Sequence, residues 1–251
     1  MVDYLYDGTF EGLLSCIYLN YYADRAEGIY EEKEYQASIL SIPIIVTTDE
    51  KKAEAVYEGI RQKISEEALE RVYRVHLSAH PGKENLILRY VRLGFRMGGG
   101  ISSLHAHPDV LSMQELERRV NLERHRLLGL LRFSEIDGIL FCRVEPDHDV
   151  IELMAGHFAA RYRNERFIIL DKRRSKAVFS ENGLWYIAPF DPGKLPEIEN
   201  GEKTYRELWK VYFEHIAIKE RTNPRCQKNF MPARYWKNLV EIDTIDLNQR
   251  R

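Results

Sequence analysis

Cysteine is scarce in this chain. Cys16, Cys142 and Cys226 are the only three in 251 residues, widely separated and with no C-x-x-C pair. That set excludes a cysteine-ligated zinc or iron–sulfur site on this chain and points to a reducing cytoplasm. Long apolar runs are missing too. The longest, around Ile39 to Val46, is broken by Ser41 and Pro43 and is too short to cross a bilayer, so no membrane is expected as a partner. The N-terminus carries Asp3, Asp7 and Glu11 with no basic segment ahead of an apolar stretch, which does not describe a signal peptide. No G-x-G-x-x-G occurs, and Gly82-Lys83 lacks the upstream glycine and following hydroxyl residue of a phosphate loop. A dinucleotide fold is therefore not expected, nor any cofactor. Internal repeats and low-complexity tracts are absent. Finally, neither sign of charge dominates: 37 Lys and Arg stand against 39 Asp and Glu, a formal −2. Attraction to a polyanion must then come from local clustering rather than from net charge.

What is present describes a globular protein, with 44% hydrophobic and 30% charged residues and length enough for one large domain or two modest ones. Tyr4-Leu5-Tyr6 reads as a strand that Asp7-Gly8 turns into a helix bearing Phe10, Leu13, Leu14, Ile17 and Tyr21. Residues 38–46 read as a second strand. Asp49 and Ser65 are helix caps, and another helix covers about 84–97. Gly98-Gly99-Gly100 is the clearest punctuation, which sets a boundary between a mostly helical part, 1–100, and a second part, 101–251. There a helix runs to about Leu127. Residues 128–133 and 138–144 form a hairpin, a helix follows with Asp149 and Glu152 at capping spacing, and strands occupy 167–170, 176–179 and 184–188. The expected class is α+β: a helical N-terminal part with a short sheet, an antiparallel sheet with packed helices, and a C-terminal helical segment.

The stretch 209–236 carries the densest chemistry. Thr204 and Glu207 fit a capping box, and Tyr205, Leu208, Trp209, Tyr212 and Ile216 recur at helical spacing. A connector holding Arg221, Asn223, Arg225, Gln227, Lys228 and Asn229 follows, and a new helix is expected at Met231-Pro232. A second basic group comprises Arg161, Arg163, Arg166, Lys172, Arg173, Arg174 and Lys176, against only Glu165 and Asp171. Such a run is often just a solvated face, yet guanidinium groups at this density suit phosphate. Asp147, His148, Asp149, Glu152 and His157 could act as acid and base or hold a metal; capping explains the carboxylates equally well. His157 and Arg161 fall with the apolar stripe of their helix, toward the sheet. His105 and His107 lack an adjacent third ligand, so a loop ahead of a helix is the plainer account, and no metal is expected. Tyr235-Trp236 is either core or a platform for a base.

The strings HRLLGLLRFSE, EPDHDVIELMAGHFAARY, RFIILDKRRSKAVF, LWKVYFEHIAIKERTNPRCQ and MPARYW resemble a bacterial family assigned to DNA metabolism or repair. The likeness covers about 125–241 and is most specific in MPARYW, including Arg234, with the upstream N-P-R. The same region is similar to a domain of unknown function fused to some uracil-DNA glycosylases. The opening YLYDGTFEGLLSCIY matches stand-alone members, which are encoded beside a radical-SAM protein. In glycosylase-fused relatives a proline-containing string is expected where this chain has residues 171–174. The family has no established activity, so the resemblance implies a DNA context and a partner rather than a reaction.

Three functions follow as expectations. The first is a DNA repair accessory protein that binds nucleic acid through Arg163, Arg166, Arg173, Arg174, Arg221 and Arg225, with Arg161, Lys172, Asn223, Gln227 and Arg234 beside them. The second is a hydrolase or nuclease acting on damaged DNA, worked by His148, His157 and Asp147. The third is an adaptor whose helical N-terminal part docks the radical-SAM partner.

Overall fold

The computed structural model describes residues 2–37, 39–191 and 223–239. The chain divides into two compact units, Met1–Asn121 and Leu122–Arg251.

In the first unit, β1 (Val2–Tyr6) lies between β2 (Gly28–Glu31) and β3 (Ile42–Ile45), both parallel to it. Gly8, at φ +86°, turns the chain out of β1, and Thr9 caps α1 (Phe10–Tyr22) by accepting the Gly12 N–H at 3.0 Å. Asp49 caps α2 (Glu50–Lys63) and Ser65 caps α3 (Glu66–His76), as their sequence contexts lead one to expect. Next come α4 (Lys83–Met97), a 3-10 segment (Gly98–Ser103) and α5 (Pro108–Leu130). Tyr6, Leu13, Ile17, Ile60, Val72, Ile87, Tyr90 and Met113 meet in one core. Buried Arg71 on α3 is fully matched there, donating to Glu117 at 2.7 Å, Glu67 at 2.6 Å and Tyr90 Oη at 3.0 Å.

The glycine run is not a linker. Gly98, at φ +62°, ends α4, a Cβ at Gly99 would meet the Ile64 carbonyl at 3.2 Å, and Ile101 is fully buried in the core. The division falls at Asn121 and Leu122 inside α5 instead. The expected helix end near Leu127 also moves. Gly129 has open space around it, and the Leu131 N–H still bonds the Leu127 carbonyl at 3.0 Å, so the first half of the apolar run read as a strand, through Leu130, stays helical.

The second unit holds a five-stranded sheet in the order β4 (Ser134–Ile136), β5 (Ile139–Val144), β6 (Phe167–Asp171), β7 (Lys176–Glu181), β8 (Leu184–Pro189). The sheet is mixed rather than antiparallel: β5 and β6 are neighbours in parallel register, joined by α6 (Ile151–Arg161). A crossover helix between adjacent strands requires that direction. Two-residue turns close the hairpins at Asp137-Gly138 (φ +49° and +72°) and Asn182-Gly183 (φ +53° and +78°). The sequence leads one to expect the first loop at Glu135-Ile136-Asp137, but Glu135 and Ile136 belong to β4 and the turn falls at Asp137-Gly138. Near the C-terminus, α7 (Pro224–Phe230) is followed by a 3-10 segment (Ala233–Asn238). The expected connector is therefore partly helix, begun by Asn223 as cap and Pro224 inside the first turn, while Pro232 precedes the 3-10 segment. The helix expected from Thr204 lies outside the described residues. The class is α+β, with seven α-helices among the described residues. No helix among them is long and apolar enough to cross a membrane.

Candidate functional site

Because β5 and β6 run parallel, their carboxyl ends open on the same edge of the sheet, where ligands of such strand pairs gather. Residues 145–149 leave β5 there, and residues 172–175 leave β6. The C-terminal 3-10 segment adds Arg234. Together Glu145, Asp147, Lys172, Arg173 and Arg234 line a cleft of about 380 Å³.

Two buried carboxylates build its floor. Glu123 of α5, its side chain only 3% exposed, accepts the backbone N–H of Asp147 at 3.0 Å and of His148 at 2.7 Å. It also accepts the Tyr235 hydroxyl and, at 3.4 Å, the Arg234 guanidinium. Burial alone would raise this carboxyl, but the bonds from Tyr235, His148 and Asp147 outweigh it and hold Glu123 below the ordinary glutamate value. Burial and the Glu123 charge push the Tyr235 phenol up, so it stays protonated and donates. Asp171, fully buried, accepts the N–H of Arg173 at 2.9 Å and of Arg174 at 3.2 Å, which folds the turn after β6. Burial raises the Asp171 carboxyl, with the Arg174 bond opposing.

Above that floor the charges are interleaved. Asp147 meets Arg234 at 3.1 Å and Arg173 at 3.3 Å, so one carboxylate holds two guanidinium groups at the cleft. Arg234 also packs over the Tyr235 ring, 4.7 Å from its centroid. Lys172 is exposed and makes no ion pair among the described residues.

The basic run does not stay together. Strand β6 splits it across about 13 Å, five residues at the usual rise. Arg163 and Arg166 lie exposed at the far end, their side chains beside the turns at Gly183 and Gly138, and Arg161 is exposed against Tyr162. Arg174 is a framework group: it donates to Asp171 at 2.9 Å and to the carbonyls of Pro146 at 3.2 Å and Asp147 at 2.6 Å. Lys176 binds Asp149 at 2.6 Å, which takes that carboxylate away from α6; the helix begins with no side-chain cap.

Of the acid–base candidates, Asp147 lines the cleft, and His148 follows it in the chain with its backbone N–H on Glu123. His148 is held on the acid side of the usual histidine value, first by burial and then by Arg174 and Arg234, against Glu123 and Asp147; its imidazole is neutral near pH 7. His157 is exposed on α6 against the Phe158 ring, not turned into the apolar face with Arg161 as expected. Among the described residues no group of three or more His, Cys, Asp or Glu is placed to hold a metal ion. His107 Nδ1 accepts the Asp109 N–H at 3.3 Å and His105 pairs with Gln114, which is the loop-and-helix account of both.

In the C-terminal stretch, Asn223 Oδ1 accepts the Cys226 N–H at 2.9 Å. Arg225 is exposed, Gln227 half-buried, and Arg221 lies outside the described residues. Tyr235 and Trp236 are buried, with Trp236 Nε1 donating to the Met231 carbonyl at 2.7 Å; they are core, not a stacking platform. Glu123 escaped the sequence reading although it left a trace. It falls on the stripe of Leu116, Val120 and Leu127, all buried, where a carboxylate has to be matched.

Fold and cleft define an α+β domain with an arginine- and lysine-edged cleft at the carboxyl ends of two parallel strands. The chain belongs to the family described as Domain of unknown function (DUF4130), whose model matches residues 81–241. No curated protein sequence matches it. Among solved structures it is similar to a "pGpG-specific phosphodiesterase - PggH" from Vibrio cholerae, at 13% identity and a TM-score of 0.31 over 71% of this chain and 80% of that one.

Proposed function

We propose that the second unit binds the phosphate backbone of nucleic acid at this cleft, as an accessory protein of DNA metabolism or repair. The observation that carries the reading is the convergence of Lys172, Arg173 and Arg234 on one cleft, held by a buried carboxylate floor. Guanidinium groups already oriented by Asp147 can exchange a carboxylate for a phosphate without searching for geometry. DNA as the polymer comes from the family resemblance, as does a radical-SAM partner that would supply the reaction. The test is fluorescence anisotropy of labelled single-stranded and duplex DNA across a salt series. Three phosphate contacts give a log–log slope of about −2 to −3. Lys172→Glu with Arg173→Glu should weaken binding and flatten the slope, since both side chains are exposed and neither supports the core. Binding equal to the parent at every salt concentration returns the cleft to a solvated surface. Cleavage of the probe that His148→Ala abolishes would instead favour the hydrolase reading.

An adaptor role is a second reading, favoured by one observation. Ile42 and Ile45 of edge strand β3, with Ile39 and Leu40 before it, stand exposed on the first unit, at 67%, 65%, 104% and 76%. Co-purification with the radical-SAM protein, lost on Ile42→Lys with Ile45→Lys, would support it.

A further inference from the structure

A second cleft, of about 810 Å³, lies wholly within the first unit, between the end of α1, the outer face of α4 and the start of α5. Its volume falls in the range of small-molecule sites, about 300–1,000 Å³. Arg89, Arg92 and Arg96 recur at helical spacing along α4 and face it, and Arg25 enters from the loop after α1. Asp109 binds Arg89 at 2.7 Å, which matches one of the four. The other three have no carboxylate partner among the described residues. Arg92, half-buried, donates instead to Oδ1 of Asn20, and Asn20 is itself buried and fixed by its bond to the Ala26 carbonyl at 3.0 Å. A neutral amide thus orients a guanidinium while leaving its charge uncancelled. Burial lowers the Arg92 value, and Arg25 adds to that, so two like charges are held near one another. One wall is aromatic: Tyr21 and Phe95 pack edge to face at 5.6 Å, with Tyr21 44% exposed.

We infer that this cleft is a binding site for a nucleotide, its phosphate on Arg25, Arg92 and Arg96 and its base against Tyr21 and Phe95. A dianionic phosphate removes the repulsion among the three guanidinium groups and accepts from each in forked geometry. Sugar and base then have an aromatic surface to cover, a contact any base can make. The ligand class follows from this pairing of uncompensated arginines with rings. An isolated phosphate leaves the rings unused, and an uncharged nucleoside leaves the arginines uncompensated. A free mononucleotide and the 5′-terminal nucleotide of a strand share the chemistry.

Isothermal titration of the full chain with AMP, adenosine and inorganic phosphate tests it. AMP should bind, phosphate should bind more weakly, and adenosine should not bind. Arg92→Gln disturbs the Asn20 contact and so the packing of α4. Arg25→Gln and Arg96→Gln, both at exposed side chains, are the decisive variants, each expected to weaken AMP about tenfold with an unchanged melting curve. Lys172→Glu with Arg173→Glu should leave AMP binding intact, which separates this site from the one in the second unit. A 5′-phosphorylated oligonucleotide that displaces AMP where its 5′-hydroxyl counterpart does not would assign the site to strand ends; displacement by neither would assign it to free nucleotides. No AMP binding by the parent chain, or equal binding by the Arg25→Gln, Arg96→Gln double variant, overturns the inference. Phosphate binding as tightly as AMP overturns the role of the rings.

Discussion

Two arginine-rich surfaces, one in each unit, carry opposite relations between charge in the sequence and charge in the fold. The run ending at Lys176 is the more basic by inspection, yet of its members after β6 all but Lys172 are paired with a carboxylate. Arg174 is bound to Asp171, Lys176 to Asp149, and Arg173 and Arg234 divide Asp147. The arginines of α4 are spaced by apolar residues and look unremarkable along the chain. There Arg25, Arg92 and Arg96 gather with only an amide among them. An anion responds to the field left after carboxylates within a few ångströms have been subtracted, and a linear count of Lys and Arg does not perform that subtraction.

The largest expected effect breaks the floor beneath the first of these surfaces. Glu123→Ala leaves two backbone N–H groups and the Tyr235 hydroxyl buried without an acceptor, and should cost about 3–5 kcal/mol. Denaturant unfolding measures the loss, and hydrogen exchange should quicken at the Asp147 and His148 amides. A change under 1 kcal/mol would mean that Glu123 does not hold the cleft. The same carboxyl gives a pH test. Its value in the folded chain lies below the ordinary one near 4.5, so ionised Glu123 stabilises the fold in full above that pH. The contribution drains away as pH falls below it. The stability gap between parent and Glu123→Gln should therefore be flat from neutrality down to about pH 5 and narrow beneath it; a gap that widens on acidification contradicts the arrangement.

Adjacent arginines sharpen the comparison further. Arg174→Ala strips donors from buried Asp171 and two carbonyls and should cost about 2–3 kcal/mol, the range for bonds to a charged group. Arg173→Ala removes an ion pair 57% exposed on its arginine side, and should cost about 0–1 kcal/mol. Thermal melts of the two variants should differ accordingly, although the residues are sequence neighbours of the same type. Equal melts would deny the division between framework and available charge.

How much of this was readable depended on whether the signal was local. The caps at Asp49 and Ser65 and the strands on either side of Asn182-Gly183 are set by a few consecutive residues, and they were legible. Strand β2, Gly-Ile-Tyr-Glu in an acidic stretch, has no alternation of its own and is strand only because β1 lies alongside. The parallel pairing of β5 with β6 was implied by the helix between them, once the two strands are known to be neighbours. Glu123 needed more, because its partners lie 24, 25 and 112 residues away. A carboxylate on an apolar stripe says that it is matched without saying by what. The basic run misled for the opposite reason, since proximity in sequence was read as proximity in space and β6 carries its two halves apart.

The smallest expected effect decides the C-terminal stretch. Asn223 caps α7, so Asn223→Ala should cost ~1 kcal/mol of stability whether or not DNA binds nearby. Arg225 differs. It is exposed in the first turn of that helix, where the backbone presents its positive end and a cation gains nothing, so Arg225→Ala should leave the melt unchanged or raise it slightly. If Arg225 extends the phosphate-binding surface, the variant loses ~1 kcal/mol of DNA affinity, the low end for a charge-assisted hydrogen bond open to solvent. The double comparison is needed because each variant alone is ambiguous: a destabilised protein also binds less. Asn223→Ala protein that melts early yet binds normally while folded, beside Arg225→Ala protein that melts normally yet binds weakly, would assign the first residue to the helix and the second to the ligand. Normal binding by both would confine nucleic acid to the cleft at Lys172, Arg173 and Arg234.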